Sequence, residues 1–308
     1  MVKPAALLPD DTIGILSPAG VLSKERRNTL SLAVKNMEQM GYRVETGRFL
    51  YCENGYLAGT DEERAADLNA MLLNPEIKAV FCSRGGYGSA RILENLEWND
   101  LTGSVKIIAG YSDITALQLA LYRKLGWITF SGPMPAIDLC GVNSETERSF
   151  WSALTGSNPE CLYAEPAASV KSHGTARGPL LGGCLSVISS MIGTPYCPDF
   201  TDAILVLEDI GEDLYKIDRY FCHLYLSGIL KRIAGIVLGS FTDIRPDEHD
   251  PSITLHDVFN HYLGSLSIPV LADFPYGHSG KKYTLPLGCR VEINADKRTL
   301  QFLEKGVL

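Results

Sequence analysis

Several features that would fix a function class at once are missing from these 308 residues. No Cys-x-x-Cys pair occurs among the eight cysteines, Cys52, Cys82, Cys140, Cys161, Cys184, Cys197, Cys222 and Cys289, and several of them lie inside apolar runs. Such thiols read as buried and reduced in a cytosolic protein, not as a disulfide frame or a zinc site. There is no His-Glu-x-x-His, no Cys/His cluster and no Asp-rich calcium loop. No metal and no cofactor is therefore expected. Dense blocks of Lys and Arg are absent and the formal net charge is -8, which argues against a nucleic-acid groove. Nowhere do about 18 apolar residues run without a charge, so no membrane span is expected. The opening Met-Val-Lys-Pro-Ala-Ala-Leu-Leu-Pro-Asp-Asp is too short and too interrupted for a signal-peptide core, and a cytoplasmic location follows as the expectation.

What remains is an ordinary globular composition, 45% hydrophobic and 21% charged, long enough for about two domains. In the first half, short apolar runs alternate with helical periods. Strands are predicted at Thr12–Ser17, Tyr42–Glu45, Ile77–Cys82 and Val105–Ala109. Helices are predicted over Leu30–Met40, from Thr60 with Glu63 at capping-box spacing, over Tyr87–Asn95 and over Ile114–Leu125. That alternation calls for an α/β domain, a parallel sheet with helices on both faces, over residues 1–160. Regularity lapses over 161–177, which reads as a linker. The remainder, 178–308, is read as α+β. It comprises a helix over Leu180–Ile192, a strand Ala203–Glu208, a helix Tyr215–Ser227, strands Ile233–Leu238 and Ile268–Asp273, and a closing hairpin of Arg290–Asn294 with Thr299–Leu303.

Four segments carry candidate chemistry. Gly110-Tyr111-Ser112-Asp113 joins a strand to a helix, where a serine is held exposed beside backbone N–H groups. The same residues would also suit a plain helix cap. Ser83-Arg84-Gly85-Gly86-Tyr87-Gly88 follows another strand and reads as a tight turn, a phosphate cradle or an oxyanion donor, although its spacing matches neither a Rossmann nor a Walker loop. Ala203-Ile-Leu-Val-Leu-Glu-Asp ends a strand on two acids. Period two puts Glu208 with Ile204 and Val206 on one face and Asp209 on the other, so only one acid faces a given site. Asp273-Phe-Pro-Tyr-Gly-His278-Ser-Gly presents a histidine on a loop after a strand.

Taken together these stretches resemble the LD-carboxypeptidase family of serine peptidases, family S66. The matching segments are Ser-Arg-Gly-Gly-Tyr-Gly-Ser-Ala-Arg (83–91), Gly-Tyr-Ser-Asp-Ile-Thr-Ala (110–116), Phe-Ser-Gly-Pro-Met (130–134), Gly-Gly-Cys-Leu (182–185) and Ile-Gly-Thr-Pro (192–195). Leu-Glu-Asp-Ile-Gly-Glu (207–212), Gly-Ser-Phe-Thr-Asp (239–243), Gly-His278 and Leu-Pro-Leu-Gly (285–288) continue the series in order. The resemblance implies a flavodoxin-like N-terminal domain with a parallel sheet and a C-terminal swivelling β/β/α domain carrying Glu208 and His278, with the active site between them. It further implies Ser112 as nucleophile, His278 as general base, Glu208 as its orienting acid and the Gly86 and Asp113 amides as oxyanion hole. Homodimers and a muropeptide substrate belong to the same implication: release of the terminal D-alanine from murein tetrapeptide, the muramoyltetrapeptide carboxypeptidase reaction of peptidoglycan recycling.

The chemistry is coherent without the family. Serine is a weak nucleophile that needs an adjacent base, histidine titrates near neutrality, and a carboxylate fixes the imidazole tautomer. Arg84 is a candidate for the substrate's terminal carboxylate, because guanidinium and carboxylate match in geometry, and equally a candidate structural arginine. Two other readings stay open. One is a peptidase of the microcin C self-immunity type, acting on aminoacyl or peptidyl adenylate analogues. The other is a non-catalytic nucleotide- or sugar-binding module built on the Gly85–Gly88 loop.

Overall fold

The computed structural model describes residues 1–139, 144–157, 162–246 and 252–308, arranged in two compact units. The first comprises Met1–Pro159 with Tyr283–Gly288 and Lys305–Leu308. Its elements are β1 (Thr12–Leu16), α1 (Lys24–Gln39), β2 (Arg43–Thr46), α2 (Asp61–Leu73), β3 (Ile77–Cys82), β4 (Ile107–Gly110), α3 (Thr115–Leu125), β5 (Thr129–Ser131) and α4 (Glu145–Thr155). Strands β2-β1-β3-β4-β5 lie side by side and all parallel. That is the flavodoxin-like order, whose ligand crevice forms at the carboxyl ends of β1 and β3. β1, β3 and β4 read as apolar runs because both sheet faces are covered. The expected capping box is present: the Thr60 side chain accepts from Glu63 N, and the Glu63 carboxylate accepts from Thr60 N. Phe81 and Phe150 meet edge to face with centroids 5.2 Å apart, joining β3 to α4 in the core.

The second unit comprises Glu160–Lys282 and Cys289–Glu304. It contains β6 (Leu162–Ala164), β7 (Ser169–Ser172), β8 (Thr175–Cys184), α5 (Leu185–Met191), β9 (Ile204–Ile210), α6 (Leu214–Leu226), β10 (Gly235–Thr242), α7 (Leu255–Leu263) and β11 (Val270–Ala272). The chain then returns to the first unit as β12 (Leu285–Leu287) before β13 (Arg290–Asn294) and β14 (Thr299–Phe302) close the second. The second sheet runs β6-β14-β13-β8-β9-β10-β11-β7. Its centre, β8 to β11, is parallel and its flanks are antiparallel. The β13–β14 hairpin is where the sequence predicts it. Among the described residues no helix is long and apolar enough to cross a membrane, and no disulfide joins the six described cysteines. Cys140 and Cys161 lie outside the described residues.

Four expectations are corrected. The span 161–177 is not an irregular linker, because from Leu162 onward it supplies β6, β7 and the start of β8. β6 and β7 are the two sheet edges, three and four residues long, and too short to impose a visible apolar period. Leu180–Ile192 is not one helix: Leu180–Cys184 ends β8 and only Leu185–Met191 is helical. The glycines there serve close strand pairing, since a Cβ on Gly182 would lie 1.9 Å from the Val206 carbonyl oxygen. Tyr87–Asn95 is a 3-10 stretch beginning at Ser89, after Gly88 takes a left-handed φ of 118°. Finally, 178–308 is not one continuous domain. β12 pairs antiparallel with β5 at the edge of the first sheet, a position that tolerates Pro286.

Candidate active site

In the first unit, β4 ends at Gly110 and the chain turns through Tyr111 into a 3-10 turn, Ser112–Ile114, that runs on into α3. Ser112 sits at φ 66°, a left-handed conformation uncommon for any residue but glycine, and it is half-buried. Strain of this kind costs on the order of 1–3 kcal/mol and persists where surrounding structure enforces it. Here the enforcement is visible. Gly85 packs so closely that a Cβ on it would lie 2.9 Å from Ser112 Cβ, 3.1 Å from Ser112 Oγ and 3.3 Å from the Asp113 nitrogen. Asp113 is buried, its carboxylate accepts from Ser89 N at 2.8 Å, and its carbonyl accepts from Ser89 Oγ at 2.5 Å. Burial pushes the Asp113 carboxyl above its ordinary range, and the Ser89 bonds oppose that push. Gly86, at φ 116°, lies on the exposed side of the same loop. Among the described residues no acceptor takes the N–H of Gly86 or of Asp113.

Arg84 is half-buried and donates from Nη1 to the Val21 carbonyl at 2.8 Å. Gly20 passes over it so closely that a Cβ there would stand 3.2 Å from the guanidinium carbon. The residue thus supports the loop after β1 and is not a surface charge. Burial lowers its pKa from the ordinary arginine value.

In the second unit, β9 delivers Glu208 and Asp209 to opposite faces, as the alternation predicts. The Glu208 side chain is buried, and its Oε2 stands 2.7 Å from His278 Nδ1 while also accepting the His278 backbone N–H at 3.2 Å. A carboxylate only accepts, so the ring proton belongs on Nδ1 and Nε2 is the basic nitrogen. Gly277 makes this approach possible. It holds φ 90°, and a Cβ on it would fall 2.4 Å from Glu208 Oε2. The loop is fastened to β10 by Ser240, whose N–H and hydroxyl both donate to the Tyr276 carbonyl (3.0 and 2.9 Å), and by Thr242, whose hydroxyl donates to the His278 carbonyl at 3.3 Å. Sequence reasoning assigns no role to Ser240 or Thr242. Their polar alternation at the end of an apolar strand is the one signal that could have found them.

Asp209 goes elsewhere. It accepts from Ser186 N at 2.8 Å and from Ile210 N at 2.9 Å, holding the first turn of α5 to the end of β9. Burial, reinforced by the neighbouring Glu208 charge, pushes its carboxyl up to about 6. Of the three expected catalytic residues, then, Glu208 and His278 meet within the second unit and Ser112 is carried by the first. Among the described residues no three His, Cys, Asp or Glu side chains gather as a metal site requires.

A flavodoxin-like first unit with a strained serine after β4, and a second unit with a buried carboxylate on a loop histidine, define a two-unit α/β protein that carries the residue types of a serine hydrolase. Comparison with known proteins identifies it further. Residues 13–132 match the LD-carboxypeptidase N-terminal domain and residues 177–293 the LD-carboxypeptidase C-terminal domain. The chain is 35% identical over 309 residues to a probable murein peptide carboxypeptidase of Bacillus subtilis, covering 99% of this chain and 95% of that one. Among solved structures, a muramoyltetrapeptide carboxypeptidase from Oxalobacter formigenes superposes with a TM-score of 0.82 at 32% identity, over 94% of this chain and 97% of that one. The microcin C7 self-immunity protein MccF in complex with glutamyl sulfamoyl guanosine superposes with a TM-score of 0.91 at 25% identity over the whole of both chains. This protein belongs to the LD-carboxypeptidase family.

Proposed function

We propose that the protein is a serine-type LD-carboxypeptidase that releases the terminal D-alanine of murein tetrapeptide, acting in the cytoplasm on recycled cell-wall peptide and working as a homodimer. Ser112 is its nucleophile, His278 takes the Ser112 proton and returns it to the leaving amine, and Glu208 holds the imidazole tautomer and stabilises its cation. The amides of Gly86 and Asp113 receive the oxyanion. The observation that carries the reading is the 2.7 Å contact of buried Glu208 with His278 Nδ1, which leaves Nε2 as the base. Arg84, with Nη1 engaged by Val21, offers its remaining terminal nitrogen to the substrate's carboxylate.

A second reading has an observation of its own: the full-length superposition on MccF, a protein solved with a sulfamoyl nucleoside. It would make the substrate an aminoacyl-adenylate analogue. One experiment separates the two. Purified protein is given murein tetrapeptide, its all-L isomer and a sulfamoyl-adenylate analogue at equal concentration, and products are read by mass. We expect loss of alanine from the tetrapeptide and little turnover of the others. Inverting one α-centre swings a substituent off its partner, and a 1 Å misplacement costs about 10²-fold. Fastest cleavage of the adenylate analogue would establish the second reading, and equal rates on the all-L isomer would make the enzyme a general peptidase.

A further inference from the structure

Arg64 lies on α2 with its side chain wholly buried, an unusual place for a guanidinium. Its Nη1 donates to two backbone carbonyls, Pro18 in the loop after β1 and Gly88 at 2.8 Å in the loop after β3. Its Nη2 pairs with Asp61, which Arg91 also holds from the surface at 2.8 Å. The two carbonyls belong to the two loops that flank the β1/β3 crevice. Arg64 is buried while Asp61 is part-exposed, and the guanidinium also serves two backbone carbonyls of different loops, so it fixes loop geometry as well as contributing an ion pair. Arg64 Nε, moreover, is buried with no partner among the described residues.

Both arms of the guanidinium lead to Ser112. Through the first, Gly88 is followed by Ser89, which bonds Asp113 twice, and Asp113 adjoins Ser112. Through the second, Pro18 precedes Gly20 by two residues, Gly20 N donates to the Gly85 carbonyl at 3.2 Å, and Gly85 packs on Ser112. The Arg64 charge also favours the ionised form of buried Asp113 against the upward push of burial. Gly88 takes φ 118°, and a Cβ on it would meet Arg64 Nη1 at 3.0 Å, so this approach has been built into the loop.

We propose that Arg64 is a positioning residue for the nucleophile. By tying the loops after β1 and β3 to one buried cation, it holds Gly85 and Asp113 against Ser112 and keeps the serine at its left-handed φ. The inference rests on the assignment of Ser112 as nucleophile. The test is the second-order rate of Ser112 phosphonylation by a fluorophosphonate, in which the serine oxygen displaces fluoride from phosphorus, with the modified residue located by peptide mass, alongside kcat and KM on murein tetrapeptide. Arg64→Met should slow phosphonylation about 10²-fold and lower kcat in parallel, with KM within about threefold of wild type. Arg64→Lys, which keeps the charge, should recover part of the loss. Ser89→Ala should cost about tenfold, and its combination with Arg64→Lys should fall short of the product of the two losses. Arg91→Ala, which leaves both carbonyl bonds in place, should stay within about twofold. A folded Arg64→Met protein that is phosphonylated at the wild-type rate overturns the inference. If Arg64→Met does not fold, wild-type rates in both Arg64→Lys and Ser89→Ala overturn it. Labelling of the wild type at Ser112 keeps either outcome separate from the functional reading. No labelling there would overturn the nucleophile assignment, and the role of Arg64 with it.

Discussion

Around Ser112 the first unit works almost wholly with backbone. A left-handed serine, a glycine pressed against it at Gly85, and N–H groups on Gly86 and Asp113 that no acceptor takes among the described residues shape the surroundings of Ser112, while the Arg64 and Ser89 side chains brace carbonyls from behind. Around His278 the second unit works with side chains. One carboxylate oxygen takes both the imidazole and the backbone N–H of the same residue, and the hydroxyls of Ser240 and Thr242 pin the loop. The difference suits the two tasks proposed for them. A nucleophile and an oxyanion hole need fixed dipoles whose positions do not change during reaction. A base must gain and lose a proton, and needs a partner whose charge answers that change.

The largest effects should come from removing either reacting group. Ser112→Ala and His278→Ala are each expected to lower turnover of the tetrapeptide by on the order of 10⁴ with the fold intact, because members of a triad act as a unit. Retention of a tenth of the wild-type kcat by the serine variant would sink the assignment. The comparison between units then sharpens with glycines. Gly277→Ala forces a Cβ into the Glu208 carboxylate at a φ of 90°, so both the pair and the loop must shift. Gly85→Ala crowds Ser112 and the Asp113 nitrogen without any left-handed strain of its own. We expect about 10³-fold and about 10²-fold losses of kcat respectively, each with a parallel slowing of Ser112 phosphonylation by a fluorophosphonate, since both reactions need His278 to take the serine proton. A loss in Gly85→Ala as large as that in Gly277→Ala would erase the division of labour between backbone and side chains.

The acids make a third and finer test. Glu208→Gln should cost on the order of 10³ or more in kcat, since the amide no longer fixes the imidazole tautomer. Asp209→Asn should stay within about tenfold, because Asp209 serves α5 and not the histidine. The reverse ranking would mean that Asp209 is the working acid.

How much of this the sequence discloses follows from where order is local. Strands β1, β3 and β4 of the first unit are buried on both faces and announce themselves as apolar runs, and the Thr60–Glu63 box is visible at a spacing of three. The division of Glu208 from Asp209 needs only the period of a strand. What is not legible depends on partners distant in sequence. β12 joins β5 across some 150 residues of chain, and Pro286 in it reads locally as a breaker. Gly182 reads as a small residue within the expected helix, yet β9 passes within contact of its α-carbon. Arg64 stands in helical register with Leu68 and Leu72, which hints at the buried face, but an arginine in an acidic first helical turn looks equally like a surface pair.

The smallest predicted effect lies in the pH dependence of stability, and it probes the same strand end. Burial raises the Asp209 carboxyl from 3.8 to about 6, so the folded chain holds that proton more tightly than the unfolded one. Between about pH 4 and pH 6 the native state then carries a proton the unfolded state has released. Stability from this group is present below pH 4 and lost as pH rises through 6. A rise of about two units corresponds to at most about 3 kcal/mol. Asp209→Asn keeps an oxygen to accept the Ser186 N–H and has nothing to ionise, so its stability should not show that decline. Urea melts of both proteins at pH 4.5, 5.25, 6 and 7 would reveal it as a growing advantage of the variant toward pH 7. Parallel profiles would mean that Asp209 titrates in the folded chain as it does in the unfolded one, and that the Ser186 and Ile210 bonds balance its burial. The strand end would then be held by an ordinary carboxylate cap, and the contrast between its two acids would rest on Glu208 alone.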